Sequence, residues 1–106
     1  MRVMLINPPI DSVLENGNVS PVTQYLFYNS APLGILYIAA LLEQHGHEVA
    51  VIDAAAELLD VQMTVERVAA FQPQVIGIGS FTVTFETTVR LGAALRAQLP
   101  DVPMVL

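Results

Sequence analysis

Cysteine and lysine are both missing from the 106 residues of this chain. Without cysteine, the chain alone cannot form disulfides, thiolate metal sites, iron–sulfur clusters or thiol nucleophiles. Without lysine it cannot form a P-loop. The only strongly basic side chains are four arginines against ten acidic residues, which gives a net charge of −6. Because this leaves little positive charge to neutralise a phosphate backbone, we expect no nucleic-acid partner.

Long apolar runs are also missing, although 54% of the residues are hydrophobic. No run reaches the roughly 18 residues of a membrane-spanning helix, and the start of the chain lacks the features of a signal peptide. We therefore expect a cytoplasmic protein with no membrane partner. The apolar content suffices for one compact domain over residues 1–106. Because the last six residues begin as a buried strand and then stop, we expect an N-terminal fragment of a longer enzyme.

Short apolar runs alternate with helical patterns along the chain. Strands are predicted over residues 3–6, 49–52 and 74–79, with a fourth beginning after Asp101, and helices near Pro32, at Thr64 and over 85–99. Runs without polar alternation are typical of parallel strands covered on both faces. The alternation predicts an α/β fold with a parallel sheet in the order 2-1-3-4 and helices on both faces.

Several local signals refine these elements. The first helix should bury a stripe comprising Leu33, Leu36, Tyr37, Ala40 and Leu41, and it should end at Gly46. Ser30 could cap that helix, and Thr64 should cap the second one. Two glycines in the third strand, Gly77 and Gly79, suggest close packing on its backbone.

Several familiar sites are not supported. A dinucleotide-binding domain needs G-x-G-x-x-G after its first strand, where this chain has Asn7, Pro8 and Pro9. A phosphoacceptor domain needs acidic residues at strand ends that carry Asn7 and Ser80 here. His45 and His47 flank Gly46, and a polar helix end is a better interpretation than a metal site. The threonines after the third strand lack a nearby base, so a hydroxyl nucleophile is not supported.

Two features leave alternatives open. Asp53 could bind a ribose hydroxyl or cap the following segment, and capping is favoured. The loop over residues 10–30 is long enough to be functional, and it carries Tyr25, Phe27 and Tyr28. These aromatic side chains could pack on a planar ligand, on a neighbouring domain or on one another.

Five segments, read in order, resemble one family. The chain is similar to the N-terminal cobalamin-binding domain of the cobalamin-dependent radical S-adenosylmethionine enzymes, and the resemblance spans nearly all of it. The segments are Leu5-Ile-Asn-Pro-Pro9, the run from Ala31-Pro-Leu-Gly34 to Ala40, His45-Gly-His-Glu-Val49, Ile52-Asp53, and Pro73 to Ser80 with Thr82.

The resemblance implies a three-layer flavodoxin-like (Rossmann-like) sheet, truncated here after about four strands, that holds cobalamin at the carboxyl ends of its strands. A barrel outside this chain would carry the [4Fe-4S] cluster and S-adenosylmethionine, so the fragment itself would not be catalytic. No histidine here stands in the D-x-H-x-x-G motif that ligates cobalt, which implies base-off binding with the nucleotide tail in a groove of the sheet. Gly79 departs from the serine often found there. The expected cofactor-binding residues are Asn7, Pro8, Pro9, Pro32, Leu33, Gly34, Asp53, Ser80 and Thr82.

Two other functions remain open. The N-terminal domain of a two-domain nucleotide-sugar glycosyltransferase also carries a Gly-His-Glu-Val sequence after its first helix, as at Gly46 to Val49 here. Such enzymes usually place glycines where Pro8 and Pro9 stand. A third interpretation is a non-catalytic interaction domain, because an exposed sheet edge would favour self-association of the fragment.

Overall fold

The computed structural model describes residues 1–10, 21–22 and 31–106. Most of the predicted loop over 10–30 lies outside these residues, as do Tyr25, Phe27, Tyr28 and the proposed cap Ser30. Within these ranges, four strands alternate with three helices, Pro21 and Val22 are also helical, and a short 3-10 turn lies at Thr82–Thr84. The alternating elements are β1 Arg2–Asn7, α1 Leu33–Gln44, β2 Glu48–Asp53, α2 Val61–Phe71, β3 Val75–Ile78, α3 Phe85–Gln98 and β4 Met104–Val105.

All strand pairs in the sheet are parallel, and the strand order is β2-β1-β3-β4. The predicted flavodoxin-like order is therefore confirmed. The register pairs Val3 of β1 with Val49 of β2 and with Val75 of β3. In parallel strands all carboxyl ends lie at one edge, so the segments after β1, β2 and β3 meet there.

Alternation along the strands sends side chains to two faces of the sheet. Met4, Ile6 and Ile76 lie in the larger core, which the buried side chains of α2 and α3 complete. Val3 and Leu5 lie on the opposite face, in a smaller core with Ala39 of α1. Helices thus cover both faces, as predicted, but the second face has only one helix among the described elements.

The buried stripe of α1 differs from the prediction. Ile35, Ala39 and Leu42 pack in the smaller core, whereas the predicted stripe points outward, with Leu33 64% and Tyr37 76% exposed. Leu36, Ala40 and Leu41 are exposed as well. Because every residue from 35 to 42 is apolar, hydrophobic spacing cannot select one face of this helix.

The helix termini are partly as predicted. Gly46 follows α1 with a φ of 84°, so the predicted left-handed residue is confirmed. The predicted cap of α2 is wrong, because Asp60 rather than Thr64 accepts the Met63 N–H at 2.7 Å. Thr64 is buried, and its hydroxyl donates to the Asp60 carbonyl at 2.7 Å. Aspartate is at least as good a cap as threonine and starts the helix one turn earlier.

The last strand is less buried than predicted. Val105 is 60% exposed and pairs with Gly77 of β3, and Leu106 is 75% exposed. Among the described residues, β4 forms the edge of the sheet. In the same part of the chain, no helix is long and apolar enough to cross a membrane.

Candidate functional site

Two of the predicted site residues meet at the carboxyl edge of the sheet. Asn7 ends β1 and Asp53 ends β2, and the register places them opposite each other. The Asn7 side-chain amide donates to Asp53 Oδ1 at 2.9 Å. The same oxygen accepts the Ala56 N–H at 3.1 Å, while the Ala54 N–H donates to the Asn7 carbonyl at 3.0 Å. Asp53 therefore organises the turn after β2, as its capping interpretation predicted.

Pro8 and Pro9 continue from this point into the protein. Both rings are almost completely buried. Buried prolines hold the direction of the chain as it leaves β1, because each fixes one backbone torsion. Contact between these proline rings and a ligand stays a prediction. The exposed polar groups at this edge of the sheet belong to other residues, such as Ser80 and Thr82.

The start of α1 is open to solvent. Pro32 occupies the cap position without a side-chain hydrogen bond, Leu33 is 64% exposed, and Gly34 is exposed. A Cβ added at Gly34 would meet nothing within 4 Å. Nothing in the described protein therefore requires a glycine at this position, and the space beside the first turn of α1 is accessible to a ligand.

Ser80 and Thr82 follow β3 at the same edge, and both are exposed. The turn that carries them is held from below by the buried Thr84, whose Oγ1 accepts the Phe81 N–H at 3.0 Å. The Gly79 N–H donates to the Ile6 carbonyl at 2.9 Å, which ties the start of this segment to β1. The exposed hydroxyls thus stand on a well-anchored turn.

A groove of about 450 Å³, which we call the sheet groove, runs below Ser80 on the α1 face. Strand parity explains its composition, because Val3, Leu5, Val75, Gly77 and Gly79 all point to this face. The lining is almost entirely apolar. It is completed by Met1, Ile35, Ile38, Leu42, His47, Ile78, Ser80, Val105 and Leu106.

The two glycines of β3 form the floor of the sheet groove. A Cβ at Gly77 would lie 2.8 Å from Leu5 Cδ2, and one at Gly79 would lie 2.9 Å from Ile35 Cδ1. The close packing predicted from these glycines is therefore confirmed. Since alternate residues of a strand share a face, side chains at both positions would displace Leu5 and Ile35 from the wall of the same groove.

The family resemblance predicted a groove in the sheet but not its lining, and His47 was not predicted to lie in it. The Gly-x-Gly spacing within a strand was a usable signal, because it removes two side chains from one face of the sheet. The interpretation of the histidine pair as a polar helix end fits the structure. His45 Nδ1 donates to the Leu41 carbonyl at 2.9 Å, as a side chain at a helix end can. No group of three or more potential metal-binding side chains occurs in the described residues.

Comparison with known proteins identifies relatives over most of the chain. The family model of the B12 binding domain matches residues 19–106. An anaerobic magnesium-protoporphyrin IX monomethyl ester cyclase of Synechocystis is 35% identical over 99% of this chain and 20% of its own length. An uncharacterized methyltransferase of Pyrococcus horikoshii is 29% identical over 77% of this chain and 16% of its own length.

The chain thus spans a fifth or less of the length of these two relatives. No solved structure matches significantly. Of the two enzyme families that the sequence resembles, the family model supports the cobalamin-binding one, because its match includes α1 through β4.

Proposed function

The chain belongs to the B12-binding domain family, and from that membership we propose that it binds cobalamin at the carboxyl edge of its sheet, with the nucleotide tail in the sheet groove. The observation that carries this proposal is the glycine floor. Gly77 and Gly79 line the sheet groove, where Leu5 and Ile35 pack closely on them, and the groove begins beside Ser80, where a corrinoid would sit above the strand ends. Ligands of open α/β sheets bind at this edge.

The sheet groove fits a flat, largely apolar base. Its volume of about 450 Å³ lies within the range of about 300–1,000 Å³ that small-molecule pockets occupy. Its walls are aliphatic side chains of β1, β3 and α1, which gain contact with an aromatic ring and lose water. A Cβ on either floor glycine would displace Leu5 or Ile35, which are two of these wall side chains, so the residues present keep the walls in place and suit the group.

The residues at the carboxyl edge of the sheet would contact the corrinoid itself. Asn7 and Asp53 hold each other through one hydrogen bond, and their other side-chain oxygen atoms would act as acceptors for the amide side chains of a corrinoid. Ser80 and Thr82 offer hydroxyls, and Gly34 allows the backbone of α1 to approach closely. Pro8, Pro9, Pro32 and Leu33 shape the segments on which these groups stand.

Cobalt receives no histidine from the described residues in this proposal. His45 and His47 precede β2, whereas Asp53 ends it, and six residues of strand separate the two edges by roughly 20 Å. Following the family resemblance, we propose base-off binding, with the base in the sheet groove instead of on the metal. When bound, the corrinoid supplies a cobalt centre that can accept and release a methyl group.

We place this domain in a larger radical enzyme. The two relatives described above are about five times as long and bear the names of a cyclase and a methyltransferase. The chain contains no cysteine, so a [4Fe-4S] cluster with S-adenosylmethionine must be held by another domain. The role of residues 1–106 is to position the corrinoid for methyl transfer or related radical chemistry carried out there.

The test compares cobalamin with cobinamide, which lacks the nucleotide tail. Ile38 lines the sheet groove and is 52% exposed, so Ile38→Trp should narrow the groove without overpacking the core. We expect the ¹⁵N-labelled chain to show cobalamin-dependent NMR shifts at Gly77, Gly79 and Ser80. The Ile38→Trp variant should lose affinity for cobalamin and keep its affinity for cobinamide.

The matched control is Val89→Trp on α3, where the original side chain is 53% exposed and lies outside the sheet groove. It should bind both corrinoids like the unmodified chain. No shift in the floor residues at millimolar cobalamin would overturn the proposal. Equal losses for both corrinoids in Ile38→Trp would contradict the placement of the tail.

A further inference from the structure

His47 stands at the far end of the sheet groove, among side chains that are otherwise apolar. It lines the groove with Met1 and Leu42, whereas Ser80 lines the opposite end. It is the only ionisable side chain among the described residues that line this space. A single polar group at the end of an apolar pocket is the kind of feature that orients a ligand and selects its chemistry.

The tautomer of the His47 ring is assigned from its neighbour. The Met1 nitrogen lies 3.0 Å from His47 Nδ1. With that nitrogen as the donor, Nδ1 is the acceptor, and the matching tautomer carries its hydrogen on Nε2. No described protein group accepts from Nε2. His47 is half-buried, so this N–H is only partly accessible to water.

We propose that His47 Nε2–H donates a hydrogen bond to the unprotonated ring nitrogen of the base at the end of the nucleotide tail. This inference rests on the proposed function, which places that base in the sheet groove. In base-off binding the ring nitrogen is released from cobalt and has an acceptor lone pair to satisfy. His47 therefore makes the groove selective for corrinoids whose lower base is a nitrogen heterocycle.

The experiment measures affinities for three ligands: cobalamin, a cobamide whose lower base is a phenol, and cobinamide. The phenolic base has the shape of a flat tail but no ring nitrogen. We expect the unmodified chain to prefer cobalamin over the phenolic cobamide by about three- to tenfold, the effect of one neutral hydrogen bond. His47→Phe keeps a flat ring and should abolish that preference, while leaving cobinamide binding unchanged.

His45→Phe is the matched control, because His45 lies at the same helix end but outside the sheet groove. It should retain the preference. If His47→Phe does not fold, the ¹⁵N resonance of His47 Nε2 in the unmodified chain provides a second measurement, and it should shift with cobalamin and not with the phenolic cobamide.

The outcomes separate this inference from the proposed function. If cobalamin binds more tightly than cobinamide but His47→Phe keeps the preference over the phenolic cobamide, the role of His47 is wrong and the groove placement stands. Equal binding of cobalamin and cobinamide overturns the groove placement and the His47 contact together. No binding of any corrinoid overturns the proposed function itself.

Discussion

Gly34 is the residue at which ligand contact and protein packing can be separated most cleanly. A side chain there would meet nothing within 4 Å, and valine is a slightly better helix former than glycine. Gly34→Val should therefore leave the chain folded. If a corrinoid lies against the first turn of α1, the added methyl groups should weaken its binding by about 1–3 kcal/mol, the usual cost of overpacking.

Thr82→Val should have a smaller effect, because it removes one neutral hydrogen bond worth about 0.5–1.5 kcal/mol. Cobalamin titration followed by corrinoid absorbance would rank the two variants. Gly92→Val in α3 is the matched control, since a Cβ at Gly92 also meets nothing within 4 Å. If folded Gly34→Val binds cobalamin with full affinity, Pro32, Leu33 and Gly34 only start the helix and do not contact the corrinoid.

At the scale of elements, the sequence predicts which strands and helices exist, and their order, better than it predicts which face of a helix is buried. All four strands and three helices occur where periodicity places them, because buried parallel strands and capped helices leave local signals. The buried face of α1 could not be predicted, since its apolar residues surround the helix. The start of α2 was misplaced by one turn because two good caps, Asp60 and Thr64, lie four residues apart.

The same limits apply to the candidate site. The meeting of Asn7 and Asp53 could be predicted, because parallel strands end at one edge. The family resemblance predicted a groove in the sheet, but the position and lining of that groove could not be predicted, since they depend on which part of the sheet α1 leaves uncovered. That in turn depends on the packing of Ile35, Ala39 and Leu42, which local sequence does not specify.

Arg2 links three elements at the amino edge of the sheet. Its guanidinium donates to the Phe71 carbonyl through Nε at 3.0 Å and through Nη2, and it lies 4.2 Å from the centre of the Phe71 ring. It also pairs with Glu48 at 2.7 Å. Because the carbonyl ends α2, the positive charge also stabilises the helix terminus.

Arg2→Ala should therefore lower the free energy of unfolding by about 2–4 kcal/mol, the sum of a charged hydrogen bond and a cation–π contact. Urea denaturation followed by circular dichroism would measure it. Arg67→Ala is the control, because the Arg67–Glu57 pair is exposed and should contribute at most about 1 kcal/mol. An equal loss in both variants would contradict the linking role of Arg2.

At the scale of the whole molecule, the helices of the described residues cover the two faces of the sheet unequally. Among these residues, two helices pack on the larger core and one packs on the smaller, and the part of the second face that they leave uncovered lies beside β4. β4 pairs only with β3 among the described strands, so the backbone groups on its outer side are available to another strand. An edge with apolar side chains is a template for pairing between chains.

We therefore expect this chain to self-associate as its concentration rises. Sedimentation velocity should show a weight-average mass that increases from that of a monomer toward that of a dimer. Val105→Lys should restore the monomer, because a charge on an edge strand opposes pairing and Val105 is 60% exposed. Val89→Lys adds the same charge at an equally exposed position on α3 and should leave association unchanged. A chain that stays monomeric at every concentration would show that the outer side of β4 is already protected within one molecule, and the uneven covering of the sheet would then have no consequence for assembly.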